Sequence, residues 1–231
     1  MYQSRLRENL PRVREAISIA AGKSGRDPGE VTLVAITKAH PLEALEAALA
    51  CGIQDLGENR VGELREKVGL LGRSAANWHM VGHVQSRKAR PAAEVSDLIH
   101  SVDSLKLARK ISAFGVESGR SIPVLLQVNL SGEETKSGFT PEAAVETVHE
   151  TLELEGLDVR GLMTMAPFTD HERVLRSTFR GLREIQERAE AIPGYDGREL
   201  SMGMTNDFEL AVEEGSTMVR IGTALFGERP R

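Results

Sequence analysis

Lys38 places a reactive amine at the end of a predicted strand. It follows the apolar run 31–36, and the helix breaker Pro41 comes three residues later. In barrels of parallel strands, the reactive groups collect at the carboxyl ends of the strands. An amine that is partly removed from water there can lose its proton and attack an aldehyde. We therefore take Lys38 as a candidate for covalent attachment, with a solvated rim lysine as the alternative.

Two glycine-containing segments near the end of the chain have the composition of a phosphate site. They are 201–206, Ser-Met-Gly-Met-Thr-Asn, and the pair Gly222 and Thr223. Barrels that bind phosphate commonly do so in the loops after strands seven and eight. Ser201 and Thr223 offer hydroxyls, while Gly203 and Gly222 allow close approach of backbone amides. Either glycine alone would be ordinary turn chemistry, so the prediction depends on their combination with the strand-end lysine.

Arg220 brings a permanent cation into an apolar run. It alternates with Val219 and Ile221, so its side chain lies on the opposite face of the strand. If the aliphatic pair packs on helices, the guanidinium points into the barrel. A buried cation needs a partner, and a pyridine nitrogen is one suitable acceptor. An ion pair with Glu213 or Glu228 is the alternative.

The apolar pattern predicts eight strands separated by helices. We expect strands at 31–37, 53–57, 77–82, 97–102, 122–129, 157–164, 199–203 and 217–221. We expect helices at 3–22, 42–51, 59–70, 85–94, 104–118, 141–154, 171–191 and 206–214. Eight β/α units close a barrel, and the Gly-x-Gly-x-x-Gly turn of a doubly wound sheet is absent. The prediction is one domain over residues 1–231, a TIM-type (β/α)8 barrel with an extra N-terminal helix.

Local signals predict several helix boundaries. Ser104 and Asp170 are favourable N-caps, and Thr140 stands just ahead of a proline. Gly119 and Gly156 occupy positions where a helix commonly ends in a left-handed residue. The helix boundaries above follow from these residues.

Composition and charge exclude several classes of function. A net charge of −5 and a pI near 5.8 give no overall attraction for nucleic acid or an anionic membrane. The single cysteine, Cys51, cannot form an internal disulfide, so we expect a cytoplasmic protein. His79 and His83 are four residues apart, but no third ligand accompanies them. We expect no metal site.

With these residues assembled, the chain resembles the pyridoxal phosphate (PLP) homeostasis family, single-domain relatives of the alanine racemase barrel. The resemblance runs along nearly the whole sequence. It rests on ordered motifs that include 33–38, Leu-Val-Ala-Ile-Thr-Lys; 57–60, Gly-Glu-Asn-Arg; 78–86, Trp-His-Met-Val-Gly-His-Val-Gln-Ser; 200–207, Leu-Ser-Met-Gly-Met-Thr-Asn-Asp; and 215–227, Gly-Ser-Thr-Met-Val-Arg-Ile-Gly-Thr-Ala-Leu-Phe-Gly.

The resemblance implies a type III PLP-binding barrel in which Lys38 forms a Schiff base with the cofactor. It also implies that Arg220 lies near the pyridine nitrogen and that the two glycine-containing segments hold the phosphate. The cofactor-binding residues that it implies are Lys38, Asn59, His83, Ser201, Met202, Gly203, Arg220, Gly222 and Thr223.

The role implied by the resemblance is PLP binding and supply, without evident turnover. A two-base racemase needs a second acid/base opposite the lysine, and neither Tyr2 nor Tyr195 is an obvious candidate. In the alanine racemase architecture a C-terminal domain supplies it, and we expect no such domain here. We therefore favour a monomeric carrier that delivers PLP to PLP-dependent apoenzymes. A PLP-dependent amino-acid racemase and a phosphate-binding barrel without PLP are the alternatives.

The segment 131–138, Ser-Gly-Glu-Glu-Thr-Lys-Ser-Gly, has the composition of a mobile flap. Its Lys136 could assist an arriving or departing phosphate as a transient point charge. An ordinary solvated lysine is the alternative.

Overall fold

Eight parallel strands form a closed barrel. The computed structural model describes residues 1–133 and 137–228. Each strand pairs in parallel with the next along the chain, and β1 also pairs with β8. The strands are β1 Thr32–Ile36, β2 Asp55–Glu58, β3 Asn77–Met80, β4 Leu98–Val102, β5 Ile122–Gln127, β6 Leu157–Met163, β7 Glu199–Met204 and β8 Met218–Ile221. The predicted (β/α)8 barrel is confirmed.

Nine α-helices lie among the described residues. They are α1 Tyr2–Lys23, α2 Leu42–Ala50, α3 Val61–Leu71, α4 Ala89–Val95, α5 Leu105–Ser118, α6 Ala144–Leu152, α7 Glu172–Ala189, α8 Phe208–Glu213 and α9 Thr223–Phe226. The extra N-terminal helix α1 packs against α2, α8 and α9. Its Arg5 and Asn9 donate to the carbonyls of Phe226 and Leu225 at the end of α9. The pattern did not predict α9, because four residues are too few to show a helical period.

Two of the predicted boundary signals act as expected. The Ser104 hydroxyl accepts from the Leu107 amide, and Gly119 ends α5 with a φ of 63°. The prediction that Thr140 caps a helix beginning at residue 141 was wrong, because its hydroxyl accepts from the Ala143 amide in a turn that precedes α6, which begins at Ala144. The prediction that Asp170 caps α7 was wrong, since the N-cap is His171. The Thr169 hydroxyl accepts from the His171 amide, and this local turn moves the start of the helix.

The prediction for Gly156 was also wrong, because it does not adopt the left-handed conformation. Gly156 instead lets β6 approach α5. A Cβ at this position would lie 2.1 Å from the Ser112 carbonyl oxygen, and a Cβ on Gly115 would lie 2.3 Å from the Gly156 oxygen. Backbone meets backbone here, so neither position has room for a side chain.

Replacing Gly156 with alanine should therefore destabilise the fold. Because the obstacle is backbone, we expect a cost of about 3 kcal/mol, at the upper end of typical overpacking effects. Gly69 in α3 is the matched control, since a Cβ there would meet nothing within 4 Å. Gly69→Ala should be neutral or stabilising by up to about 1 kcal/mol. Chemical denaturation of both variants measures the difference, and equal stabilities would contradict this assignment.

The core has two parts. The main apolar cluster lies between the strands and the surrounding helices and includes Trp78, Phe179 and Phe226. A separate small cluster consists of Leu98, Leu125, Met163 and Met218. In β4 and β8 these residues share a strand face with polar groups, which makes the barrel interior partly polar. No helix in the described part of the chain is long and apolar enough to cross a membrane.

Candidate functional site

The end of β1 brings Lys38 to the rim of the barrel. The preceding Thr37 faces outward, where its hydroxyl donates to Glu58 Oε1 at 2.5 Å and its carbonyl accepts from Lys67 of α3 at 2.8 Å. Lys38 lies in the turn that follows β1, and Asn59 directly follows β2. Both residues are half-buried. Lys38 thus stands at the carboxyl rim of the barrel, where its sequence position predicted it.

Arg220 lies beneath this rim, inside the barrel. Its side chain is buried and donates to Ser201 Oγ at 2.6 Å and to the Thr164 carbonyl at 2.9 Å. Burial of the guanidinium lowers the pKa of Arg220 to about 10, and the nearby Asp207 carboxylate opposes that change. The group stays protonated at neutral pH. Glu213, the alternative partner, instead pairs with Lys23 and Arg176.

The pairing of β1 with β8 brings Lys38 and Arg220 to the same side of the barrel. Val34 is level with Arg220, and Lys38 comes four residues later, beyond the carboxyl end of β1. Gly222 lies between these levels, since a Cβ on it would be 3.3 Å from the Ile36 carbonyl oxygen. An amine, a guanidinium and an open glycine loop therefore share one sector of the barrel.

The loops after β7 and β8 meet at the same rim. The Ala224 amide donates to Thr205 Oγ1 at 3.5 Å, which joins the two segments proposed for phosphate. Thr223 is exposed and Gly222 is half-buried.

Three other residues of the segment 201–206 lie in different surroundings from Thr205. Ser201 is fully buried inside the barrel, where its Oγ contacts His100 and Arg220. Met202 belongs to the main apolar core. Gly203 faces α8, because a Cβ there would lie 2.6 Å from the Ala211 Cβ. Gly203 thus makes room for α8. The sequence alone does not show which neighbour a glycine makes room for.

Asn59 and His83 lie on the neighbouring part of the rim. Gly82 brings them together, since a Cβ on it would be 2.2 Å from the Asn59 carbonyl oxygen. The His83 ring contacts Asp103 Oδ2 at 2.8 Å and has a side chain that is 56% exposed. Sequence reasoning missed Asp103, although it directly follows β4 at the carboxyl edge.

A charged cluster supports the turn that carries Lys38. Lys67 Nζ donates to Glu58 Oε1 at 2.6 Å and to Glu63 Oε1 at 2.8 Å. Glu63 also accepts from the amide of Ala39, which has a φ of 59°. Burial raises the pKa of Glu58 above its usual value, and its contacts with Lys67 and Thr37 only partly oppose this. We call Glu58, Glu63 and Lys67 the brace.

Sequence reasoning did not identify the brace. Glu63 and Lys67 are an ordinary i,i+4 pair on a helix, and such pairs are usually solvated. Only the packing of α3 against β2 and β3 shows that Lys67 is buried. For Glu63, burial favours a higher pKa, but the hydrogen bonds from Lys67 and the Ala39 amide outweigh it and lower the pKa.

The two histidines four residues apart point to different places. His79 lies inside the barrel between Asp55 and His100, whereas His83 lies at the rim. Among residues 1–133 and 137–228 no group of three or more His, Cys, Asp or Glu side chains could hold a metal ion. Lys136 is outside the described residues, so its role in a flap stays a prediction.

The chain is similar in sequence to a known protein family along nearly its whole length. Residues 4–230 match the family model of the alanine racemase N-terminal domain. A pyridoxal phosphate homeostasis protein of Pseudomonas aeruginosa is 41% identical over 226 residues, covering 98% of this chain and 96% of that one. A protein of the same name from Aquifex aeolicus is 40% identical over 222 residues, covering 96% of this chain and 97% of that one.

A solved structure has the same architecture. It is PipY of Synechococcus elongatus PCC7942 with PLP bound, which matches with a TM-score of 0.81 and 36% identity. The match covers 90% of this chain and 100% of that one. The chain therefore belongs to the pyridoxal phosphate homeostasis protein family, within the wider family of the alanine racemase N-terminal domain.

Proposed function

We propose that this chain binds PLP at the carboxyl rim of the barrel, holds it as a Schiff base on Lys38, and stores and delivers it without turnover. The observation that carries the proposal is the pairing of β1 with β8, because the strand that leads to Lys38 lies beside the strand that carries the buried Arg220 and leads to Gly222. The PLP-bound relative supports the choice of ligand.

The residues present fit the cofactor. When bound, PLP supplies an electrophilic aldehyde, and Lys38 supplies the amine that reacts with it. Of the five N–H groups of Arg220, two are used by Ser201 and Thr164, which leaves three for a ligand. Because Arg220 keeps its proton, it donates to an acceptor such as a pyridine nitrogen. The hydroxyls of Thr205 and Thr223 and the Gly222 loop suit a phosphate.

The rim also suits transfer to another protein. Met165, Phe168 and Met204 follow β6 and β7 at this edge and are exposed, Phe168 to 96%. An apolar edge beside the site gives a recipient a surface to contact. A cytoplasmic monomer that supplies PLP-dependent apoenzymes remains part of the proposal.

A PLP-dependent amino-acid racemase is the second candidate. The observation that favours it is the His83–Asp103 contact at the rim, because a histidine oriented by a carboxylate can exchange protons. Tyr195 does not suit this role: burial raises its pKa, and its hydroxyl donates to Gln186. Tyr2 lies on α1, and its hydroxyl is 3.3 Å from His40 Nδ1.

Borohydride reduction tests the attachment point. Protein loaded with PLP should become coloured, and reduction should fix the cofactor to the peptide that contains Lys38, as mass spectrometry would show. A colourless protein would favour a phosphate-binding barrel without PLP. Label on another lysine would overturn the assignment of Lys38.

Incubation with a panel of L-amino acids separates the carrier from the racemase. For a carrier we expect no multiple-turnover appearance of D-amino acids, and transfer of PLP to an added apoenzyme. Sustained conversion of any member of the panel would support the second candidate instead.

A further inference from the structure

Arg220 needs a counter-charge that its immediate contacts do not supply. A buried guanidinium is costly unless negative charge compensates it. Within the residues that the structure describes, no carboxylate forms an ion pair with Arg220; its contacts are the Ser201 hydroxyl and the Thr164 carbonyl. Asp207 acts on it through its charge, without a hydrogen bond. The position of the guanidinium therefore depends on how its neutral partner Ser201 is held.

Ser201 begins a hydrogen-bonded chain that crosses the barrel. Its Oγ lies 2.8 Å from His100 Nδ1, and His100 Nε2 lies 2.9 Å from His79 Nδ1. His79 Nε2 lies 3.1 Å from Asp55 Oδ1. The chain runs from β7 across the interior to β4, then through β3 to β2. All of its members except Asp55 are buried.

The chemistry of the two ends fixes the direction of the chain. Arg220 can only donate, and an ionised Asp55 can only accept. His79 must then donate from Nε2, which leaves its Nδ1 to accept from His100 Nε2. The Nδ1 of His100 accepts in turn from the Ser201 hydroxyl. Every group is satisfied with both histidines neutral and protonated on Nε2.

Burial and charge support this arrangement. Burial, with the nearby His79 and Arg220, lowers the pKa of His100 well below its usual value. Burial alone would raise the pKa of Asp55, but hydrogen bonds from His79 and Asn77 lower it. The lowered pKa of His100 favours its neutral form and the lowered pKa of Asp55 favours the carboxylate, in agreement with the hydrogen-bond directions.

A proton added to the pair reverses the chain. A doubly protonated His79 donates to both Asp55 and His100, so His100 Nε2 becomes an acceptor and its Nδ1–H donates to Ser201. The Ser201 oxygen then accepts from both sides, and its own proton must find another partner. The new charge also lies nearer to Arg220. Asp55 is the entry point for the proton, because its side chain is 24% exposed.

We propose that Asp55, His79, His100 and Ser201 form a positioning chain that orients the Ser201 hydroxyl and thereby holds the Arg220 guanidinium for the ring nitrogen of PLP. This inference rests on the proposed function. It assigns a role to the amino end of the barrel, since a carboxylate at the start of β2 controls a group beneath the opposite rim.

The first test uses the cofactor-free protein. Labelling histidine with nitrogen-15 and recording two-bond proton–nitrogen correlations reports which ring nitrogen carries the proton. We expect the Nε2–H form for both His79 and His100 at neutral pH. An Nδ1–H form for either residue would refute the proposed hydrogen-bonded chain, whether or not the protein binds PLP.

The second test compares Asp55→Asn with Asp158→Asn. Asp158 is the second residue of β6 and pairs with Arg160, away from the hydrogen-bonded chain, so it controls for loss of a carboxylate at the amino end. Asp55→Asn should weaken PLP binding about 10-fold, a usual size for coupling between separated groups. Asp158→Asn should leave the Kd unchanged, and equal Kd values would contradict the proposal.

The pH profile adds a readout that a purely structural role would not move. In the wild type the Kd of PLP should rise on acidification, because a proton added to the histidine pair reverses the hydrogen-bonded chain. In Asp55→Asn the carboxylate that stabilises a protonated His79–His100 pair is missing, so the rise in the Kd of PLP should occur at lower pH than in the wild type. Should Asp55→Asn not fold, the tautomer measurement still decides. If the wild type binds no PLP, the proposed function fails. The tautomer measurement still tests the hydrogen-bonded chain, because it uses the protein without cofactor.

Discussion

Lys38→Ala is expected to remove covalently held PLP completely while the barrel still folds. Among residues 1–133 and 137–228 we expect no other amine to take the place of Lys38, because Lys38 is the lysine in the turn that follows β1 at the carboxyl rim. Lys38 is half-buried at the rim, so truncation should change the free energy of unfolding by only about 0.5 kcal/mol. Visible absorbance and borohydride labelling measure the loss.

Lys106→Ala is the matched control for this prediction. Lys106 is exposed in the first turn of α5, at the same rim, and should keep full labelling. A small amine such as methylamine, added to Lys38→Ala with PLP, should restore part of the colour if the pocket remains intact. Undiminished labelling of Lys38→Ala would refute the proposed attachment.

Lys67→Met is expected to produce the largest loss of stability. The side chain of Lys67 is 8% exposed and that of Glu58 is fully buried. Removing the ammonium leaves a buried carboxylate without its cation, and such losses cost about 3–5 kcal/mol. Glu58 Oε2 already has no hydrogen-bond partner in the described structure, so the carboxylate has little else to stabilise its charge.

The effect should depend on pH with a defined sign. The pKa of Glu58 is already raised in the fold, and the variant loses the Lys67 contacts that oppose this, so the pKa rises further. A carboxyl whose pKa is raised by folding stabilises the fold while it is protonated, and that contribution is lost as the pH rises through its folded pKa. Lys67→Met should thus be least destabilising near or below about pH 4.3 and most destabilising at neutral pH.

Two further variants make this prediction decisive. Lys23→Met removes a lysine from an exposed ion pair with Glu213 and should have little effect. Adding Glu58→Gln to Lys67→Met should recover much of the loss at neutral pH, because no buried charge remains. Chemical denaturation at acidic and neutral pH gives the values. A pH-independent loss in Lys67→Met would show that packing, and not charge, explains the brace.

The sequence by itself determined the architecture and the two central cations of the site. Apolar runs separated by helical periods depend only on neighbours along the chain, so eight strands, the N-terminal helix and the cap at Ser104 could be predicted. Alternation within β8 was enough to direct Arg220 inward. The position of Lys38 after an apolar run was enough to place it at the rim.

Only the tertiary structure decided which distant groups meet. The contact of Ser201 with His100 joins strands on opposite sides of the barrel, and it depends on register and closure, which local patterns do not encode. Gly156 and Gly203 resemble turn glycines in sequence but make room for a neighbouring element. Lys67 resembles a surface lysine until α3 packs over it. Burial and long-range pairing are properties of the closed barrel, and they turn ordinary polar residues into a connected site.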